Sequence, residues 1–159
     1  MTNDWLFKTQ DKIFGFRSSG VLLIDGKILL QRSVNDTGYA LPGGHVAWGE
    51  TGAEAVVREY KEEIGVDVTV HRLLWVEENF WQWGDKKSHH ICHHYLISAD
   101  DSQIPTNGSF KPLTTDESSL IFRWIDISEI NTYEVYPQFL KEKINNLSDN
   151  IEHFVRRDI

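Results

Sequence analysis

The chain carries two short apolar runs, Val21-Leu22-Leu23-Ile24 and Lys27-Ile28-Leu29-Leu30, with Asp25-Gly26 between them. Asp-Gly supplies the positive φ angles of a tight two-residue turn, so the pair predicts a hairpin. Asn35–Gly38 reads as loop, and Leu41-Pro42-Gly43-Gly44 as a second turn whose two glycines give the backbone unusual freedom. The pattern then changes period. Ala53, Val56, Val57, Tyr60 and Ile64 recur at helical spacing and predict a helix over Thr51–Ile64 with that face inward. Thr51 and Glu54 have capping-box spacing, and Gly65 fits a C-terminal stop. Branched and aromatic residues predict strands over Val66–Val70, Leu73–Glu78, His89–Ser98 and Leu120–Asp126. Asp100–Glu117 reads as a long polar loop. A second helix is expected from Pro137 to about Leu147, with Phe139, Leu140, Ile144 and Leu147 on one side.

Length and composition add bounds. A chain of 159 residues suits one domain over residues 1–159, and 40% hydrophobic content with six tryptophans fits a folded globule. No apolar run is long enough to cross a bilayer, and the first residues lack the basic-then-apolar pattern of a secretion signal. The expectation is a soluble, cytoplasmic protein that does not engage membrane. The single cysteine, Cys92, cannot form an internal disulfide and fits a reducing compartment. A net charge of −8 repels polyanions, which argues against binding a nucleic acid polymer and leaves open a small anion carried with metal.

The residues suited to chemistry stand on the predicted helix. Glu59, Glu62 and Glu63 lie at i, i+3 and i+4, so a helix places them on one face. Like charges so placed repel unless something neutralises them, and a hard cation such as magnesium suits a few carboxylates, filling its other positions with water and phosphate oxygens. An ordinary solvated face is the alternative reading of Glu54, Glu59, Lys61, Glu62 and Glu63. Context weighs against it: the Gly43-Gly44 turn precedes the helix, and Arg58 can pair with Glu62 or fold back towards Glu50.

The segment from Gly44 to Val66 resembles the signature of the Nudix hydrolase family. All seven fixed residues are present: Gly44, Glu50, Arg58, Glu59, Glu62, Glu63 and Gly65. Chance agreement has a probability on the order of 10⁻⁹ per start position. Tyr60 departs from the pattern, standing where a branched aliphatic residue is usual. The resemblance implies an α/β fold, a Nudix-type α/β/α sandwich with a mixed β-sheet. It implies metal ligation by Glu59, Glu62 and Glu63 with Gly43, and a supporting pair of Arg58 with Glu50. The implied cofactor is Mg2+, with Mn2+ as substitute. The implied reaction is hydrolysis of a diphosphate linkage by in-line attack of water. Glu59 is one candidate base, and Asp116 and Glu117 are others, standing just before the strand at Leu120. The implied partner is a small nucleotide-like substrate, and the resemblance favours a homodimer. Some relatives bind or sense nucleotides without cutting them; loss of the helix glutamates marks those, and here they are intact.

Arg17 and Arg32, flanking the hairpin, are candidates for phosphate binding, as are Gly44 and His45 for contact with substrate. Strand alternation divides His89 and His93 from His90 and His94, which favours a strand lining or backing a pocket over a zinc site. Phe80-Trp81-Gln82-Trp83 suits either nucleobase stacking or packing in the core or against a second copy. The subgroup marks of several substrate classes are absent, so the choice among ADP-ribose, nucleotide sugars and nucleoside triphosphates stays open.

Overall fold

The computed structural model describes residues 3–113 and 119–159. The Asp25-Gly26 turn forms as the dipeptide dictates, with φ of 51° and 75°. It joins β2 (Lys12–Ile24) to β3 (Lys27–Ser33). β2 is the spine of the molecule. It pairs antiparallel with β1 (Leu6–Lys8), with β3, and with β5 (Gly43–His45), and runs parallel to β7 (Lys86–Ala99) from Lys12 to Leu22. β7 returns from β6 (Val68–Trp83) as an antiparallel pair, and β11 (Glu152–Arg157) closes that edge parallel to β6. On the other side β3 pairs with β9 (Leu120–Asp126) and β4 (Tyr39–Ala40), β9 with β8 (Ser109–Phe110), and β4 with β10 (Val135–Tyr136). All eleven described strands form one mixed hydrogen-bonded network.

Alternation along the central strands sends neighbours to opposite faces and builds two cores. Leu22, Leu29, Ile97, Phe122 and Trp124 face α1 (Gly52–Ile64), meeting Val56, Tyr60 and Ile64. Val21, Ile28, Leu30 and Ile125 face the short α2 (Leu140–Lys143), meeting Leu140, Ile144 and Trp75. The result is the expected sandwich, with helix on either side of a mixed sheet.

Several expectations are corrected. The two strands expected over 66–70 and 73–78 are one strand, β6, with irregular pairing between Val70 and Arg72 and between Leu73 and Trp75. The second helix is one turn: Phe139 stacks on Phe154 at 3.9 Å between ring centroids, and Asn145-Asn146, poor helix formers, follow directly. On α1, Val57 is exposed and Ala53 only partly buried; Ala55 and Glu63 take the inward positions. The polar loop after Asp100 contains β8 and buries Ile104. Glu117 and Asp116 lie outside the described residues.

Candidate active site

Helix α1 begins where the sequence places its cap. Thr51 Oγ1 accepts from the Glu54 amide at 3.1 Å, and Glu54 accepts from the Thr51 amide at 2.8 Å. At the other end Gly65 takes a left-handed conformation, φ 77°, and its N–H bonds to the Tyr60 and Lys61 carbonyls. The helix is therefore fixed in register relative to the preceding loop, and so are its carboxylates.

Arg58 ties loop and helix together. Its Nε and Nη2 donate to the two oxygens of Glu50 at 2.6 and 3.0 Å, and Nη2 also donates to the His45 carbonyl at 3.1 Å. Its Nη1 donates to Glu59 at 2.9 Å and to Glu62 at 3.3 Å. The Arg58 hydrogen bond holds the Glu50 carboxyl below its ordinary range, helped by the Ala47 amide at 2.8 Å. Glu59 moves the other way. Burial pushes its carboxyl up and the charge of Glu62 adds to the rise, while Arg58 and a hydrogen bond with Glu63 oppose it. Glu63 is buried and Glu62 exposed, so the three glutamates occupy three depths of one edge.

The glycine turn meets this edge. A Cβ on Gly44 would collide with the Glu59 carboxylate, and one on Gly43 with the backbone of Ser18. The turn needs glycine because β5 lies so close to both β2 and α1.

Do these residues fit a divalent cation? Among the described residues no three acidic, histidine or cysteine side chains already stand arranged around one point. Arg58 instead draws Glu59 and Glu62 to itself. The donor chemistry fits nonetheless. Glu50, Glu59 and Glu62 are three acids around one guanidinium, Glu63 stands one residue beyond Glu62, and burial raises the Glu59 carboxyl despite its bond to Arg58. All are hard oxygen donors, the type magnesium takes.

Beside the turn, across β2, opens a pocket of about 620 Å³ lined by Arg17, Asp36, Glu77, Asn79, Trp81, Cys92, His94, Tyr136, Arg156 and others. Arg17 pairs in register with His45 of β5, so it stands between the glycine turn and the pocket. Arg32 does not line it; its guanidinium donates to Tyr39 Oη and to the carbonyls of Ser33, Val34 and Asp36. His45 and His90 face each other, Nε2 to Nε2 at 3.1 Å. Burial, with Arg17 nearby, lowers them to about 4 and about 3, so both are neutral. His89 and His93 fall on the opposite sheet face, where with Trp5, Phe7, Phe14 and Phe16 they line an aromatic hollow of about 490 Å³. The sequence reading missed Glu77, Asn79 and Arg156 because only strand register assembles them.

A family model described as NUDIX domain matches residues 16–145. The chain is 28% identical over 117 residues, 65% of its length, to the m7GpppN-mRNA hydrolase NUDT17 of Homo sapiens, covering 36% of that protein. It is 50% identical over 60 residues, 36% of its length, to the ADP-ribose pyrophosphatase of Methanocaldococcus jannaschii, again covering 36% of that protein. The aligned part of the chain thus spans little more than a third of these relatives. In structure it is similar to a MutT protein from Bacillus halodurans, with a TM-score of 0.67, 17% identity and 91% of each chain covered, a likeness of fold.

Proposed function

The chain belongs to the Nudix family, and from that membership we propose that it hydrolyses a diphosphate linkage in a nucleoside diphosphate joined to another group, or in a nucleoside triphosphate. The observation that carries this reading is the α1 edge that bears Glu59, Glu62 and Glu63, where Glu59 meets the Gly43-Gly44 turn and Arg58 is bonded to both loop and helix. The two sequence relatives carry the names m7GpppN-mRNA hydrolase and ADP-ribose pyrophosphatase, which supports the reading.

Glu59, Glu62, Glu63 and the Gly43 carbonyl would hold magnesium or manganese, which supplies concentrated positive charge for the diphosphate oxygens and for the attacking water. The chain's own groups do the rest. Arg17, at the pocket end next to β5, holds a phosphate by its planar fork of donors. The Arg58–Glu50 pair keeps turn and helix at fixed separation, so that the reacting groups meet in line. The proton leaving water goes to a carboxylate. Glu59, raised by burial, is the described candidate.

A screen of ADP-ribose, nucleotide sugars and nucleoside triphosphates with magnesium or manganese, scored by phosphate release with and without phosphatase, tests the reading. Glu62→Gln and Glu63→Gln should each lower turnover roughly a hundredfold with the fold retained, because a lost ligand disorders the site. Wild-type rates from both variants at saturating magnesium, or turnover that survives exhaustive chelation, would overturn it. Nucleotide binding without turnover of any substrate would make the chain a sensor instead.

A further inference from the structure

Strand register assembles the pocket floor from residues far apart in the chain. Arg17 of β2 stands opposite Cys92 of β7, and Cys92 opposite Glu77 of β6; one step along, Asn79 of β6 stands opposite Arg156 of β11. All five line the 620 Å³ pocket. Glu77 is only 2% exposed. Its Oε1 accepts from His94 Nε2 at 3.2 Å, and His94 is fixed from behind by Ser19 Oγ at 2.5 Å from Nδ1. Its Oε2 has no hydrogen-bond partner among the described residues, and neither has Asn79 Oδ1 or Arg156 Nε.

Buried polar atoms without partners are rare, and those in a pocket point to a ligand. Two others, Gln31 Oε1 and His89 Nε2, lie outside this pocket. The three on residues that line it are two acceptors and one donor. Arg156 is also held in place: its Nη2 bonds Asp158 at 2.6 Å, and its guanidinium lies 4.8 Å from the Tyr136 ring centroid. Trp81 adds an aromatic face beside Asn79.

We propose that this pocket selects guanine as the base of the substrate, an inference that rests on reading the chain as a hydrolase of nucleotide derivatives. Among the common bases only guanine presents two adjacent N–H donor groups, N1 and N2, together with one carbonyl acceptor, O6. The donors meet Glu77 Oε2 and Asn79 Oδ1, and O6 accepts from Arg156 Nε. Adenine and cytosine put an acceptor ring nitrogen where guanine has N1–H and so leave the Glu77 carboxylate facing a lone pair, whereas uracil offers a single donor and turns a carbonyl towards Asn79 Oδ1. The spacing agrees. Arg17 and Glu77 are two strand separations apart, about 10 Å, which leaves the sugar over Cys92 when a phosphate sits at Arg17.

Binding of GMP, IMP, AMP and dGMP, followed by tryptophan fluorescence and calorimetry with and without magnesium, tests this apart from turnover. GMP should bind roughly tenfold or more tighter than AMP, with IMP between them because it lacks the N2 amino group. dGMP should match GMP. Glu77→Gln should erase the difference between GMP and AMP. Because Glu77 is buried, far-UV circular dichroism checks that variant, and the less buried Asn79→Ala, which should lose the advantage of GMP over IMP, stands beside it. Equal affinity for GMP and AMP, or a preference unchanged in both variants, would overturn the proposal. So would weak dGMP binding, which would assign the carboxylate to ribose hydroxyls. Hydrolysis without base preference would sink this inference and leave the proposed function standing, whereas GMP selectivity without hydrolysis of any substrate would do the reverse.

Discussion

Gly43 and Gly44 are adjacent and chemically identical, yet the structure asks different things of them. A methyl group on Gly43 would meet the Ser18 backbone, which cannot yield without parting β5 from β2, whereas one on Gly44 would meet the movable end of the Glu59 side chain. Gly43→Ala should therefore lower stability by about 3 kcal/mol, in the range of overpacked interiors. Gly44→Ala should keep a near-normal melting temperature and lose about a hundredfold in kcat, because the displaced carboxylate acts through its position. Thermal unfolding and kinetics on the two proteins check this, and the reverse pattern would sink it. His45 and His90 offer a second prediction at this scale. Their folded values of about 4 and about 3 lie below the 6.5 of a free histidine. Between those limits the unfolded chain binds protons that the folded chain refuses. Stability is thus full above about pH 6.5 and lost as the pH falls towards 4. The melting temperature should drop on going from pH 7 to pH 5, with a shallower slope in His45→Gln; identical slopes in the two proteins would refute the assignment.

At the scale of elements, α1 shows what a sequence can disclose. Its cap and stop depend on neighbours within four residues, and the structure reproduces both. The inward face was less legible, since tertiary packing and not spacing alone chose Ala55 and Glu63 over Val57. The Asp25-Gly26 hairpin was legible for the same local reason as the cap. Strands β1, β4, β5, β8 and β10 are two or three residues long, too short to show a period, and exist through distant partners. β11 pairs with β6 across more than 70 residues of chain, so neither it nor the Asn79–Arg156 pairing could be anticipated from local pattern. The local nature of the α1 cap also makes it separable from chemistry. Thr51→Ala removes the acceptor for the Glu54 amide and should cost about 1 kcal/mol. Urea unfolding should show a lower midpoint with an unchanged slope, and kcat should stay within about twofold at 25 °C, where the native population remains saturated. A larger kinetic loss than this would mean that the cap positions the glutamates directly.

For the whole molecule, the sheet carries a separate apolar core on each face, and β2 and β3 contribute to both. Val21, Ile28 and Leu30 enter one core while Leu22 and Leu29 enter the other. Two half-molecules that share their central strands cannot unfold independently, because losing either core strips one face from the same backbone ladder. Each core also holds a buried tryptophan, Trp75 on the α2 side and Trp124 on the α1 side, so fluorescence reports on both. Ile28→Val trims the α2-side core and Ile97→Val the α1-side core, each by one methylene, and each should cost about 1 kcal/mol. Both should move a single transition, with fluorescence and far-UV circular dichroism superimposed and the denaturant slope unchanged. Two separated transitions in either variant would show that the faces unfold apart. The proposed base pocket, lined from β2, β6 and β7, and the carboxylate edge of α1, which meets β5 beside β2, would then lack the common rigid frame that their alignment requires.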